Sequence, residues 1–577
     1  MGVLLALAVL PWVADLFTVV NVTYWLISGL LALSLTFIWG VGGVFSFGQT
    51  VFFGLAGYAY GVVSLNWPGA WGTVAGWGAG LAVGTLAAVL LGYFMFYGRV
   101  SSLAVAIMTL ASTLMAYNLF LSTSGRAYRL GQAALGGFNG MQQLPSLLHL
   151  DIAGQYWLVL VAAAVVLAVL MGLRQQGWGW VLNAVRVNEE RTELLGYDVR
   201  RIKLIGFAIS GGVAAMAGVF HTSWGNSINP TVFTINQATL VAIWVMVGGR
   251  TRLWGAFLGA ALIQGLSNYL GTVAQQATPV ILGTVLVGIV LGVPEGLAPA
   301  LERIWQRWFP HRSVFSLTGD PSLSSASMPS DHPPPSVAQY TLLDVRHLRR
   351  RFGQFWAVDG VDLTFQAGQA YCLIGPNGAG KSTVFNMLTG RLTPTTGQIL
   401  YDQEDITPLM PHQRARRGIS IKLQVPTIYP ELTVYENLWL AAAIRYRDPH
   451  QRHAHMARVA TDMGLLERLN QPAGQLSHGE KQWLDMGMAT VSDPSLLLLD
   501  EPTGGMSRGE TAQTVAFVRK LAQRSTVIVV EHDMDFVRQL GAHVTVLAQG
   551  KVFADGTMDI LQHDEEVRRI YLGEPRT

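Results

Sequence analysis

Between Asp15 and Arg99 the chain contains no Asp, Glu, Lys, Arg or His. A stretch of that length without a charged side chain has no charged face to turn toward water, so it belongs in a lipid bilayer as a series of helices. The rest of the sequence is different, because charges are frequent from about residue 342 onward. Whole-chain averages (51% hydrophobic, 13% charged, mean hydropathy +0.35) therefore describe neither half. The fold class expected is a polytopic, all-helical transmembrane domain followed by a soluble α/β domain.

Apolar runs long enough to cross about 30 Å of hydrocarbon begin near residues 3, 22, 44, 72, 102, 156, 203, 237 and 276, which predicts about eight to ten spans. The opening "MGVLLALAVLPWVADLF" lacks a basic segment and a small-residue cleavage site, so it reads as a retained first span and not a signal peptide. Glycine recurs in "FGLAGYAYG" and "LIGFAISGGVAAMAG", as expected where helices pack closely without polar glue. Gln49, Asn139, Asn229 and Gln264 lie in or beside these runs, and buried amides need partners, a translocation path being one source.

The most charged segment of this half is "RVNEERTELLGYDVRRIK", residues 186–203. Its Arg186, Arg191, Arg200, Arg201 and Lys203 place it on the cytoplasmic side. Two readings stand side by side: a solvated loop, or a short amphipathic helix that docks Val187, Leu194 and Leu195 onto a soluble partner. Further on, "LERIWQRWFPHR" has the Trp and Arg of a membrane-exit helix. The Ser/Pro-rich stretch from 316 to 339 is too poor in apolar side chains to fold and reads as a tether. The expected domains are a permease over 1–312, a linker over 313–341 and a soluble domain over 342–577.

"AYCLIGPNGAGKST" is an apolar strand running into a Gly-rich loop that opens a helix. In that context the pattern is a phosphate-binding loop. Gly375, Gly378 and Gly380 bring backbone amides around phosphates, Lys381 reaches the terminal phosphates and Ser382 is placed for Mg²⁺. Pro376, Asn377, Ala379 and Thr383 complete the expected nucleotide contacts. In "LLLLDEP" a second apolar strand delivers Asp500 to the metal and Glu501 to an attacking water. The single cysteine, Cys372, rules out an intramolecular disulfide and reads as a core residue. His450, His453 and His455 read as a helix face and not as a metal site. A net charge of +3 on a chain this long adds nothing in favour of nucleic acid, and no nucleic-acid partner is expected.

With these motifs in order, residues 342–577 resemble ATP-binding cassette proteins. The resemblance implies a P-loop cassette with an antiparallel β subdomain and a helical subdomain, binding ATP and Mg²⁺. It assigns adenine stacking to Phe352 in "RRRFGQFWAV", a Mg²⁺- and membrane-sensing glutamine to Gln424 in "IKLQVPT", and the switch histidine to His532 in "VIVVEHDMDF". "LSHGE" is similar to the family signature, which caps the nucleotide of a facing cassette, so Ser477 and Gly479 would touch the partner's ATP. His478 and Glu480 depart from the commonest form, and Ser507 stands where many cassettes carry Asp.

The short cytoplasmic connections suit an importer better than an exporter. "FSFGQTVFFGLAGYAYG", "LGGFNG" and "IWVMVGGRTRLWGAFLGA" resemble permeases of the branched-chain amino acid and urea/amide importers, and "KLQVPTIYPELTVYENL" with the signature histidine resembles the urea-type ATPase. The resemblance implies an ATP-driven translocase of the bacterial inner membrane with permease and ATPase fused. Urea or a short amide is the expected cargo, with branched-chain amino acids as the alternative; a membrane-tethered ATPase without transport fits less well. The implied partners are a second permease and a second cassette, unlike this one in preference to a homodimer, an extracytoplasmic solute-binding protein, and membrane lipid.

Overall fold

The computed structural model describes residues 2–125, 128–273, 277–308, 340–506, 508–564 and 566–567. The linker expected at 313–341 lies outside the described residues except for Tyr340 and Thr341, and so does Ser507. Two compact units emerge. One comprises the chain up to Val187 and from Val199 through the last helix before the linker; the other joins Asn188–Asp198 to the residues after the linker.

The first unit is helical. It contains α1 (Gly2–Val13), α2 (Leu16–Leu35), α3 (Gln49–Asn66), α4 (Ala70–Tyr97), α5 (Ser102–Leu121), a small hairpin of β1 (Arg129–Leu130) and β2 (Ala133–Ala134), α6 (Ile152–Gln175) and α7 (Gly177–Val187). After the inserted segment come α9 (Val199–Gly225), α10 (Ile235–Gly248), α11 (Gly255–Val273), α12 (Thr278–Gly292) and α13 (Leu297–Trp308). Among the described residues, five helical stretches are long and apolar enough to cross a membrane: Leu16–Val41, Ala70–Tyr97, Ser102–Leu121, Ile152–Gln175 and Val199–Gly225. The first of them ends in a π-helical turn over Thr36–Val41. The apolar run expected to begin near 237 is divided in two, because Gly249, with φ of 102°, ends α10 and the chain turns before α11.

Close packing of α3, α4 and α9 depends on glycine. A Cβ at Gly218 would stand 2.0 Å from the Phe53 carbonyl oxygen, and one at Gly84 would meet the Phe52 carbonyl at 2.8 Å. Polar glue is nevertheless present, contrary to the expectation from composition. Buried Gln49 donates from Nε2 to Ser210 Oγ at 3.1 Å and accepts from Ser34 Oγ at 3.3 Å, while Ser210 Oγ donates to the Ser34 carbonyl at 2.7 Å. Three helices are thereby tied around one amide, a bond set that has no water to compete with it in a bilayer.

In the second unit, Asn188–Asp198 carries α8 (Glu189–Leu194). After the linker come β3 (Thr341–Phe352), β4 (Phe355–Gln366), β5 (Ala370–Ile374), α14 (Lys381–Leu388), β6 (Thr396–Tyr401), β7 (Glu404–Asp405), α15 (Pro411–Arg416) and β8 (Ile419–Lys422). The helical part follows as α16 (Val434–Ala442), α17 (Pro449–Asp462) and α18 (His478–Thr490), then β9 (Leu496–Asp500), α19 (Arg508–Ala522), β10 (Thr526–Val530), α20 (Met534–Leu540), β11 (His543–Ala548), β12 (Lys551–Thr557) and α21 (Met558–Leu561). An antiparallel sheet has the order β4-β3-β6-β7. The main sheet has the order β12-β11-β5-β10-β9-β8, parallel except for β12. Its central strands are uninterrupted apolar runs such as "LLLL" and "VIVV", as a sheet covered on both faces requires.

Gly218→Val forces α3 and α9 apart at a backbone contact, a change expected to cost about 1–3 kcal/mol. Gly172→Ala, at a helical position where a Cβ meets nothing within 4 Å, serves as the control. Thermal unfolding of the detergent-purified protein should show a lower midpoint for the first variant and not for the second.

Candidate functional site: the nucleotide edge of the cassette and its coupling segment

Strands β5, β10, β9 and β8 are consecutive neighbours in the sheet. The segments leaving their carboxyl ends therefore converge, where ligands bind in open α/β sheets. They are the loop 375–380 from β5, His532 after β10, Glu501 after β9 and Gln424 after β8. Residues scattered over more than a hundred and fifty positions thus meet because of strand order alone.

The loop after β5 needs glycine for two separate reasons. Gly375 has φ of 151° and a Cβ there would lie 2.1 Å from the Leu547 carbonyl oxygen; Gly380 has φ of 102° and would press on the Ala357 carbonyl at 2.6 Å. Pro376, Asn377, Gly378 and Ala379 form the turn between them, and Ser382 and Thr383 lie in the first turn of α14. Lys381 is buried, with Nζ donating to the Gly375 carbonyl at 2.6 Å and the Pro376 carbonyl at 3.0 Å. Burial lowers its pKa, and the nearby Glu501 and Asp500 carboxylates oppose the shift. Asp500 shows the complementary strain: burial and then the charge of Glu501 push its carboxyl up, so its ionised form gains from a cation beside it.

Glu501 occupies left-handed backbone, φ 45°, an unusual conformation for a non-glycine residue. Its amide donates to the Val530 carbonyl at 2.9 Å, which anchors it to β10. One carboxylate oxygen lies 2.5 Å from His532 Nε2, and the other accepts from Gln424 Nε2 at 2.8 Å. Sequence reading named these three residues separately; the structure brings them into one cluster. It missed Glu531, which is buried and accepts bonds from Thr503 N and the His532 amide, setting the turn that presents His532.

Other expected residues lie apart from this cluster. Phe352 ends β3, half-exposed, with the Arg350 guanidinium 4.9 Å from its ring centroid. Ser477 is the N-cap of α18. Its Oγ accepts from the Glu480 amide and its own amide donates to Glu480 Oε2 at 2.8 Å, so Glu480 completes a capping box. Gly479 follows in the first turn, where a Cβ would meet only the tip of Glu510 at 2.9 Å. Cys372 is buried in β5, its thiol pushed up to about 12 by that burial. His453 pairs with Tyr435, and His455 pairs with Asp493 while stacking on Tyr446. Among the described residues no His, Cys, Asp and Glu group is arranged to hold a metal.

The segment 188–198 is a helix seated in the cassette. Asn188 caps α8 by accepting from the Arg191 amide at 2.8 Å, and Gly196, with φ of 103°, ends it. Leu194 joins the cassette core and Leu195 is buried beside it. Arg191 carries the most deeply buried charge of the segment: it is 1% exposed, donates to Asp485 Oδ1 at 2.7 Å and to the Ile421 carbonyl at 2.6 Å. Thr192 Oγ1 lies 2.9 Å from Tyr429 Oη, Tyr197 Oη donates to the Leu440 carbonyl at 2.8 Å, and Arg416 Nε donates to the Gly196 carbonyl at 2.8 Å. Glu190 pairs with Arg391 only at the exposed rim. The solvated-loop alternative is thereby excluded for 188–198. The signal that could have found Arg191's partner was Asp485 itself, a carboxylate in the apolar run "WLDMGM".

A fully buried lysine stands between this pair and the nucleotide edge. Lys422, the last residue of β8, donates to the Leu423 carbonyl and interacts with Asp485, Asp500 and Glu531. Burial lowers its pKa, and those three carboxylates hold it up.

Two family profiles match the chain: "ABC transporter" over residues 358–504 and "Branched-chain amino acid transport system / permease component" over residues 18–293. The branched-chain amino acid transport ATP-binding protein BraF of Pseudomonas aeruginosa is 36% identical over 250 residues, which cover 40% of this chain and 98% of BraF. The chain belongs to the ABC transporter family. LivG of Escherichia coli K12, also named as a branched-chain amino acid transport ATP-binding protein, matches at 36% with the same coverage. A solved nucleotide-free ATP-binding cassette aligns at 27% identity over 41% of this chain and all of its own, with a TM-score of 0.38. This ABC transporter chain is a multi-pass membrane protein that fuses an importer permease to a cytoplasmic cassette, and the cassette couples ATP hydrolysis to transport.

Arg191→Ala removes the hydrogen-bonded partner of a buried carboxylate and leaves it only the charge of Lys422, a loss of about 3–5 kcal/mol for such pairs; Glu190→Ala removes a rim pair worth about 0–1 kcal/mol. In the intact complex, solute-stimulated phosphate release should be nearly lost in the first variant with ATP binding retained, and almost unchanged in the second. Equal effects of the two would remove Arg191 from its place in docking.

Proposed function

We propose that this chain is one permease and one ATPase of an importer for urea or a short amide, with residues 1–312 forming the path and 342–577 the motor. The observation that carries the transport reading is the seating of 188–198 in the cassette through Arg191 and Asp485. The segment is continuous in sequence with α7 and α9, so any change in the cassette groove is delivered to those helices through the backbone.

In the motor, Gly375, Pro376, Asn377, Gly378, Ala379, Gly380, Lys381, Ser382 and Thr383 hold the ATP phosphates, and Phe352 stacks on adenine. Glu501 takes the proton of the attacking water. Both of its oxygens are engaged by Gln424 and His532, so hydrolysis depends on where those two residues stand. Gln424 follows two residues after Lys422 at the end of β8, whose Ile421 carbonyl receives Arg191. Docking is thereby felt at the catalytic carboxylate. Ser382, Gln424 and Asp500 fit a Mg²⁺ ion, given the cost of ionising Asp500 where it stands; bound there, Mg²⁺ would neutralise phosphate charge. Ser477 and Gly479 serve the ATP of a second cassette. That cassette, with a second permease, is expected to be a different chain, and a solute-binding protein outside the membrane delivers the cargo.

The amide reading is supported by the signature histidine, His478, and by the membrane runs "GGFNG" and "IWVMVGG". Branched-chain amino acids are the second reading, favoured by the names of BraF and LivG and of the permease profile. Those two relatives match only the cassette, which does not line the solute's path.

Glu501→Gln should reduce steady ATP hydrolysis at least a hundredfold, about the lower range for losing a positioned general base, while labelled ATP is still retained. Near-normal turnover would remove Glu501 from catalysis. For the cargo, cells carrying the complete transporter should accumulate labelled urea in a Lys381-dependent manner. Uptake of leucine that urea and acetamide do not compete would instead establish the amino-acid reading.

A further inference from the structure

The membrane unit contains a cavity of about 120 Å³ bordered by α2, α3, α9, α10 and the turn before α10. Sites for drug-sized ligands run to roughly 300–1,000 Å³, so this one suits a solute of a few heavy atoms. Its polar lining is Tyr24, Ser28, His221, Thr231, Gln237 and the indole of Trp244, and no lining residue is Asp, Glu, Lys or Arg. Apolar walls come from Ile27, Leu31, Phe53 and Val232.

Trp244, one of the lining residues, is 0% exposed, and its Nε1–H is one of several buried polar groups of this unit without a hydrogen-bond partner, with those of Trp25, Tyr58 and Trp77. An indole N–H is a donor only, and a buried donor without an acceptor is a standing cost that a ligand carbonyl would remove. Opposite chemistry is also present, since Gln237, Ser28 and Thr231 offer oxygens able to accept N–H bonds. His221 is held between rings, 5.2 Å from Phe53 and 6.1 Å from Tyr24, and an ionisable side chain among membrane helices is by default a functional-site candidate. Gln264 donates to Ser28 at 3.4 Å and also bonds Tyr24, fixing that wall. Of the four amides singled out in the sequence, Gln264 and Asn229 each bond a residue of the lining, Asn229 accepting from the Thr231 amide at 3.1 Å, whereas Asn139 accepts from Gln142 through its backbone carbonyl and Gln49 is spent between helices.

We propose that this cavity holds the solute in passage, and that it selects a neutral molecule with a carbonyl flanked by N–H groups, the carbonyl accepting from Trp244 Nε1–H. An amino-acid zwitterion would bring an ammonium and a carboxylate into a lining without a fixed countercharge, at a high desolvation cost. A urea-type amide brings neither. The inference rests on the amide-import reading and names the site that reading requires.

The test is uptake of labelled urea by proteoliposomes containing the full-length chain in its native complex, comparing wild type with Trp244→Phe and Gln237→Leu. Each variant is expected to raise the KM for urea about three- to tenfold, the effect of one hydrogen bond, with basal ATP hydrolysis unchanged. Urea uptake by wild type with an unaltered KM in both variants overturns the site and leaves the import reading standing. Leucine uptake without urea uptake by wild type overturns both. Should Trp244→Phe fail to assemble, Gln237→Leu decides alone: an unchanged KM rejects the site.

Discussion

A single buried ion pair, Arg191 with Asp485, holds together what the rest of this molecule needs joined. Two charges taken out of water cost more than a hydrophobic pair of the same size, so stability alone does not explain their presence. Geometry does. Arg191 also donates to the β8 backbone, and Asp485 sits in the middle of α18, whose N-cap is Ser477. One guanidinium therefore grips both the strand that leads to Gln424 and the helix that begins at Ser477.

From there the charge pattern continues inward. Lys422 interacts with Asp485 on one side and with Asp500 and Glu531 on the other. Burial pushes the pKa of Lys422 down and those of Asp485 and Asp500 up, so the charges of these three groups oppose the cost of their own burial. The cluster of Gln424, Glu501 and His532 lies beyond them, and the left-handed backbone of Glu501 shows that the fold holds this carboxylate in place against local preference.

Much of this was legible in the primary structure, but unevenly. The division into lipid-soluble and water-soluble halves follows from where charges are missing. The phosphate loop is legible because its glycines are required by backbone geometry, and "LLLLDEP" because an apolar strand must end where the sheet meets solvent. The capping box of Ser477 and Glu480 could also be read, since spacing within one helical turn is local. Asn188–Asp198 was visible only as a charged segment with two readings. Its charges divide in a way that composition does not show: Glu190 reaches only an exposed rim partner, whereas Arg191, one residue on, is completely buried. Helical periodicity indicates which residues share a face and is silent about what covers that face.

The sequence by itself determined the elements: which stretches enter lipid, which Gly-rich loop follows an apolar strand and opens a helix, and which polar residues stand at the strand ends. Each of those depends on interactions within a few residues, or on composition, and both are written in the order of the chain. Only the tertiary structure decided the pairings, namely Arg191 with Asp485, Gln49 with Ser34 and Ser210, and Glu501 with Gln424 and His532. The partners in these pairs lie far apart along the chain. What brings them together is strand order and helix packing, properties of the whole fold that no local pattern encodes.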